Sequence, residues 1–287
     1  MKLENNEELF LTIAIQTSDR YSRDKDEVIK EYFITKYLSD LFKYSKDYVL
    51  KGSAAVKLCY NLLNRSYNDV DLTSVDENKE KSVFEKLNDE HNMPIKWIET
   101  GDYRHQQGLY KTKVKDTEIA FNIDFVNHDY YDQYDNKYLI CDIQRYLIET
   151  EQVDIIEAYN LKPVKIKTLT ITDIFVSKIF AASNKYISKS HREQESMKHL
   201  KDALFIYQNY SFDTNELIER IEFKRNKDAS FFPSERAKEI FKFEVLNNIF
   251  NERFNGLIDD ELRTEMDAFA KKISHLRKFH NKIIKLL

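Results

Sequence analysis

The feature that most constrains this chain is a rare glycine where a strand-like run gives way to a helix-like one. Glycine occurs four times in 287 residues, at 52, 101, 108 and 256. Gly52 follows Tyr48-Val49-Leu50 and precedes Ala54-Ala55-Val56-Lys57-Leu58-Cys59. A glycine there admits backbone angles that a Cβ forbids and lets a ligand approach the main chain. A helix starting at that point turns unpaired N–H groups and its positive dipole end toward the bend, which makes a phosphate cradle. Ser53 adds a hydroxyl, as helix N-cap or as phosphate contact. A plain strand-to-helix turn meets the same local requirements.

A carboxylate pair follows. Asn68-Asp69-Val70-Asp71-Leu72 reads as a short strand. Residues two apart on a strand share a face, so Asp69 and Asp71 lie side by side. Like charges that close repel unless a cation or a proton intervenes. Hard oxygen donors of this kind suit Mg²⁺ or Mn²⁺, ions that also bind substrate phosphates. Solvated turn aspartates are the plain alternative. Further along, Glu118 to Val126 alternates cleanly. Ile119, Phe121, Ile123 and Phe125 form one face, and Ala120, Asn122, Asp124 and Val126 the other. Asp124 is thereby the candidate third ligand, or an exposed residue of a half-buried strand.

The remaining pattern sets the architecture. Val28, Tyr32, Phe33, Tyr37, Leu38, Leu41 and Phe42 recur at helical spacing and predict a helix over 25–46. Helices over 54–64 and 76–91 and strands at 48–50, 69–73 and 95–98 follow, with Pro94 ending the second helix. A polar loop holding Gly101 and Gly108 leads into a hairpin about Lys115-Asp116. Asn127 to Lys137 reads as a tyrosine-rich acidic loop, and 161–166 as a connector or edge strand. Thr172-Asp173 caps a helix over 173–184, and helices over 194–209, 213–222, 233–254 and 258–285 complete the chain. The expected fold class is α+β: a mixed sheet with flanking helices over 1–160 and an all-helical bundle over 161–287.

Composition narrows the function classes. With 18 Tyr, 19 Phe and a hydrophobic fraction of 42% the chain has ample core. The net charge of −4 confines nucleic-acid contacts to local basic patches, of which 271–287, rich in Lys and Arg, is one candidate and otherwise a terminal core helix. No apolar run approaches a membrane span, and the acidic start is unlike a secretory signal, so a cytoplasmic location is expected. Cys59 and Cys141 have no metal spacing and read as free thiols. No Ser-His-Asp order or zinc spacing stands out.

Strand, Gly-Ser turn, helix and Asp-x-Asp, with a third carboxylate on a later strand, resemble the nucleotidyltransferase superfamily. Lys51-Gly52-Ser53-Ala54-Ala55 and Arg65-Ser66-Tyr67-Asn68-Asp69-Val70-Asp71-Leu72 look closer still to the AbiEii-type nucleotidyltransferase toxins. That family carries a lysine in a helix near a Thr/Ser-x-x-acid cap, which nominates Lys178 in Thr170-Ile171-Thr172-Asp173-Ile174-Phe175-Val176-Ser177-Lys178. It carries a basic-Asp pair further on, which nominates Asp202 in Lys201-Asp202. Where the family often has a second acid three positions later, this chain has Phe205.

The resemblance implies a toxin that transfers NMP from an NTP to an RNA acceptor such as tRNA, with a separate antitoxin protein. In that reading Gly52 and Ser53, with Arg65, hold the triphosphate. Asp69, Asp71 and Asp124 bind the divalent metal, Lys178 adds charge to the phosphates, and Asp202 orients the lysine or the nucleophile. Two other readings remain: a nucleotide-binding module without chemistry, and transfer to a protein or small-molecule hydroxyl.

Overall fold

The computed structural model describes residues 2–62, 67–74, 81–98, 105–126, 133–187 and 193–231. The chain forms two compact units, Met1–Thr170 and Ile171–Leu287. The predicted helices over 233–254 and 258–285, including the basic 271–287 segment, lie outside the described residues.

The first unit starts with a 3-10 turn and two helices. Helix α1 (Glu7–Tyr21) is capped by the Asn6 side chain, which accepts from the Leu9 N–H, and ends at Ser22 in the left-handed region. In α2 (Lys25–Tyr44) Asp24 accepts from the N–H groups of Asp26 and Glu27, satisfying donors that a helix start leaves unpaired. Every residue of the apolar stripe read from the sequence is buried in α2. Then come β1 (Tyr48–Lys51), α3 (Gly52–Leu58), β2 (Asp69–Ser74), α4 (Lys81–Glu90), β3 (Ile95–Ile98), β4 (His105–Val114), β5 (Thr117–Val126), β6 (Tyr134–Leu139), α5 (Asp142–Glu149), α6 (Val153–Ala158) and β7 (Val164–Leu169).

The seven strands make one mixed sheet in the order β3-β4-β5-β2-β1-β7-β6. Strand β2 runs antiparallel to β1 and parallel to β5, and β7 runs parallel to β1. Residues opposite one another on paired strands share a face, and side chains alternate along each strand. Tyr48, Leu50, Val70, Leu72, Ile123, Phe125 and Ile166 therefore share the face that α2 and α4 cover. Phe84 of α4 stacks on Phe125, and Tyr37 of α2 meets the rings of Tyr110 and Phe121. Lys51, Asp69, Asp71, Asn122 and Asp124 share the opposite face, called the carboxylate face below.

Three strand and loop readings need correction. Tyr134 to Lys137 belong to β6, an edge strand, because antiparallel pairing to β7 outweighs their polar composition. The 161–166 segment contributes to β7, an inner strand between β1 and β6. Gly108 is no loop residue: it pairs with Trp97 in the sheet, and a Cβ there would stand 2.6 Å from Ile95 Cγ2. Both cysteines are free, and burial pushes each thiol up to about 12. No described helix is long and apolar enough to cross a membrane.

A buried ionic network ties the helices together. The Asp142 carboxylate, at the start of α5, accepts from Lys57 of α3 at 2.9 Å, Arg145 at 2.8 Å and Arg23 at 2.9 Å. The Asp142 N–H donates to Glu31 of α2 at 2.8 Å. Glu31 is buried, and burial followed by the nearby Asp142 charge raises its pKa. Such pairs add little over an apolar core, but losing one partner strands the others.

The second unit comprises α7 (Ile171–Ile187), α8 (Glu193–Asn209) and α9 (Thr214–Phe231) among the described residues. Thr172 and Asp173 do not cap α7 but lie within its first turn. Thr172 donates to Glu216, and Asp173 accepts from buried Arg220 at 2.7 Å, so both tie α7 to α9.

Asp142→Ala is expected to lower stability by about 3–5 kcal/mol in urea unfolding at neutral pH, because it takes the carboxylate from buried Lys57 and one partner each from part-buried Arg23 and Arg145. Lys86→Ala, which removes an exposed pair with Glu90, is expected to cost under about 1 kcal/mol.

Candidate active site

Gly52 sits at φ +69°, in the left-handed region, which a residue with a Cβ enters only at a cost. A second constraint acts at the same atom. A Cβ on Gly52 would overlap Oδ2 of Asp71 and stand 2.8 Å from its Cγ. The Asp71 carboxylate thus lies against the bend, held there by the antiparallel register that sets Lys51 opposite Asp71. The N-cap of α3 is Lys51, with no side-chain cap bond, while Ser53 is buried inside the first turn. Ser53 is therefore not the N-cap.

Register also brings the other acids to this face. Asp71 is the direct neighbour of Asp124 on β5, and Asp69 that of Asn122. Asn122 Nδ2 donates to Asp69 Oδ1 at 3.2 Å. His105 Nε2 lies 3.2 Å from Asp124 Oδ1; this carboxylate is 23% exposed and the ring 34%. Lys30 of α2 donates to Asn68 Oδ1 at 2.5 Å. Burial lowers the Lys30 pKa, and the charge of Asp69 works against that. His105, Asn122 and Lys30 were not nominated from sequence. Only Asn122 left a signal, its place beside Asp124 in the alternation of β5.

The three carboxylates share a face without forming a finished cage. Among the described residues no group of three or more His, Cys, Asp or Glu side chains is disposed to hold a metal ion. The donor chemistry still fits a hard divalent cation: two aspartates in register on adjacent strands, a third two residues along, and a side-chain-free bend beside them.

The remaining nominated residues divide. Lys178 on α7 and Asp202 on α8 form a buried ion pair, Nζ to Oδ2 2.8 Å, with side chains 8% and 1% exposed. The lysine does not reach out of the core to water, and its carboxylate partner is on another helix. Arg65 lies outside the described residues.

Comparison with known proteins gives a family. The model of the family described as "Nucleotidyl transferase AbiEii toxin, Type IV TA system" matches residues 36–278. No curated protein matches the chain. Among solved structures, one described as "putative nucleotidyltransferase from H. pylori" aligns with 88% of this chain and 96% of its own at 13% identity and a TM-score of 0.40, a likeness too distant to carry residues across.

Gly52→Ala is expected to destabilise the protein by more than about 1 kcal/mol, from backbone strain together with the Asp71 overlap. In an Asp71→Ala background the overlap vanishes. A double-mutant cycle by urea unfolding should then show a coupling of about 0.5–3 kcal/mol. Additive costs would mean that the two residues do not touch.

Proposed function

Because the chain belongs to the AbiEii family of nucleotidyltransferase toxins, and is itself a nucleotidyltransferase, we propose that it transfers NMP from an NTP to an RNA acceptor, tRNA being the leading one, with a divalent metal. The observation that supports this most is the Asp71 carboxylate packed against Gly52 with Asp124 beside it in register. Gly52 and Ser53 receive the triphosphate, with Arg65 as a further phosphate contact. Asp69, Asp71 and Asp124 are the residues that would hold Mg²⁺ or Mn²⁺. A bound ion of this kind neutralises phosphate charge and lowers the pKa of an attacking hydroxyl.

In the reaction the acceptor hydroxyl oxygen bonds to the α-phosphorus. The bond from that phosphorus to the bridging oxygen breaks, pyrophosphate leaves, and the hydroxyl proton passes to solvent. Most catalysis of such a step is positioning and charge stabilisation. His105 and Asn122 act as positioning residues, each fixing one carboxylate. In the second unit the Lys178–Asp202 ion pair ties α7 to α8. Membership in a type IV toxin–antitoxin family supports a separate antitoxin protein as a partner.

The test incubates the purified chain with Mg²⁺, each labelled NTP in turn and total tRNA. Label is expected in RNA with at least one NTP. Asp71→Ala is expected to lose on the order of 10²-fold or more of that transfer while keeping its circular dichroism spectrum. Nucleotide binding without turnover would identify a binding module instead. Label on protein or on a small molecule, with RNA bare, would move the acceptor class.

A further inference from the structure

The carboxylate face bears a second group of side chains that the transfer step leaves unused. Lys165 and Lys167 of β7 stand opposite Tyr138 and Asn136 of β6. Leu50 pairs with both Leu72 and Thr168, so Thr168 lies on the helical face and its neighbour Lys167, with Lys165, on the side of Asp71. We propose that this β6–β7 surface is a rest for the sugar–phosphate backbone of a single-stranded RNA acceptor. The inference builds on the transfer to RNA proposed above and assigns where the strand lies beyond its reacting end.

Charge is the first support. On this face Lys165 and Lys167 of β7 stand opposite Tyr138 and Asn136 of β6, two lysines with no carboxylate among these four residues. The chain as a whole carries −4, so this concentration runs against the average. The nearby Lys137 and Lys162 have acids at hand, Asp135 at 3.7 Å and Glu157 at 3.9 Å. Lys165 and Lys167 have no ion-pair partner among the described residues. Nor do they guard a sheet edge, the usual duty of strand lysines, because β7 is an inner strand.

Shape and chemistry supply the rest. Tyr138, directly opposite Lys165, is 59% exposed. A phenol ring flanked by ammonium groups offers a base something to stack on while its phosphates meet the lysines. At a strand spacing of about 4.8 Å, β7 is about 10 Å and β6 about 14 Å from the strand of Asp71. A strand whose end reaches the carboxylates can therefore continue over these residues on one face.

The experiment measures binding of the full chain to a fluorescent RNA oligonucleotide of about ten nucleotides, by anisotropy across a salt series. Two lost phosphate contacts in Lys165→Gln/Lys167→Gln should reduce the slope of log affinity against log salt by about 1.4, at about 0.7 per contact. Tyr138→Ala should weaken binding at least about 5-fold with the slope kept. In transfer assays the lysine variant should raise KM for the long RNA, keep kcat, and leave a dinucleotide acceptor unaffected. Unchanged slope and affinity in the lysine variant would overturn the assignment and leave the transfer reaction standing. Polyglutamate binding as tightly as RNA, with the same loss of slope and a silent Tyr138→Ala, would give the surface to an acidic polypeptide and also overturn it. Lysine-dependent RNA binding without any transfer to RNA would sink the proposed reaction and support the surface.

Discussion

The contact between the Gly52 backbone and the Asp71 carboxylate organises the first unit. It excludes any side chain at position 52 twice over, by φ and by overlap. Helix α3 leaves the sheet from this point, and its other end is fixed separately. Lys57, in the last turn of α3, is bound by Asp142, whose N–H is bound by Glu31. The bend is thus held from the sheet side by register and from the helical side by buried charge. That matters for phosphoryl chemistry, where misplacement of about 1 Å can cost on the order of 10²-fold in rate.

Where amphipathic period and burial agree, structure was legible in the sequence. The α2 stripe is buried throughout, the alternation of β5 puts four apolar residues in the core, and the hairpin turns at Lys115 with φ +50°. The shared face of the three candidate aspartates was legible because they are tied to such elements. Asp69 and Asp71 belong to a strand whose odd positions face one way, and Asp124 to a strand with the same clear alternation.

What escaped depends on long-range pairing. Strand β6 contains Asp135, Asn136 and Lys137, a composition that disfavours strand, and it exists because β7 offers it six opposing residues. Gly108 looks like loop punctuation but serves the close approach of Ile95 and Trp97. Helix α3 ends at Leu58, and Asn61 follows at φ +54°, earlier than its apolar run implies. The Asp142 network joins residues far apart in sequence, so no spacing announces it. His105 is invisible for the same reason: its role is set by the β4–β5 pairing that brings it to Asp124.

The hydrophobic pattern and the chemistry are therefore one specification. A slip of one residue in β2 would turn Val70 and Leu72 out to the carboxylate face and drive Asp69 and Asp71 into the aromatic core. Burying two carboxylates there without partners would cost far more than the slip could return. Two fully buried aliphatic side chains thus decide which way the aspartates point. The same logic extends across β1 to β7, where buried Ile166 and Thr168 on the helical side commit Lys165 and Lys167 to the other. Cations and carboxylates share one face of this sheet because the residues between them have to share the other.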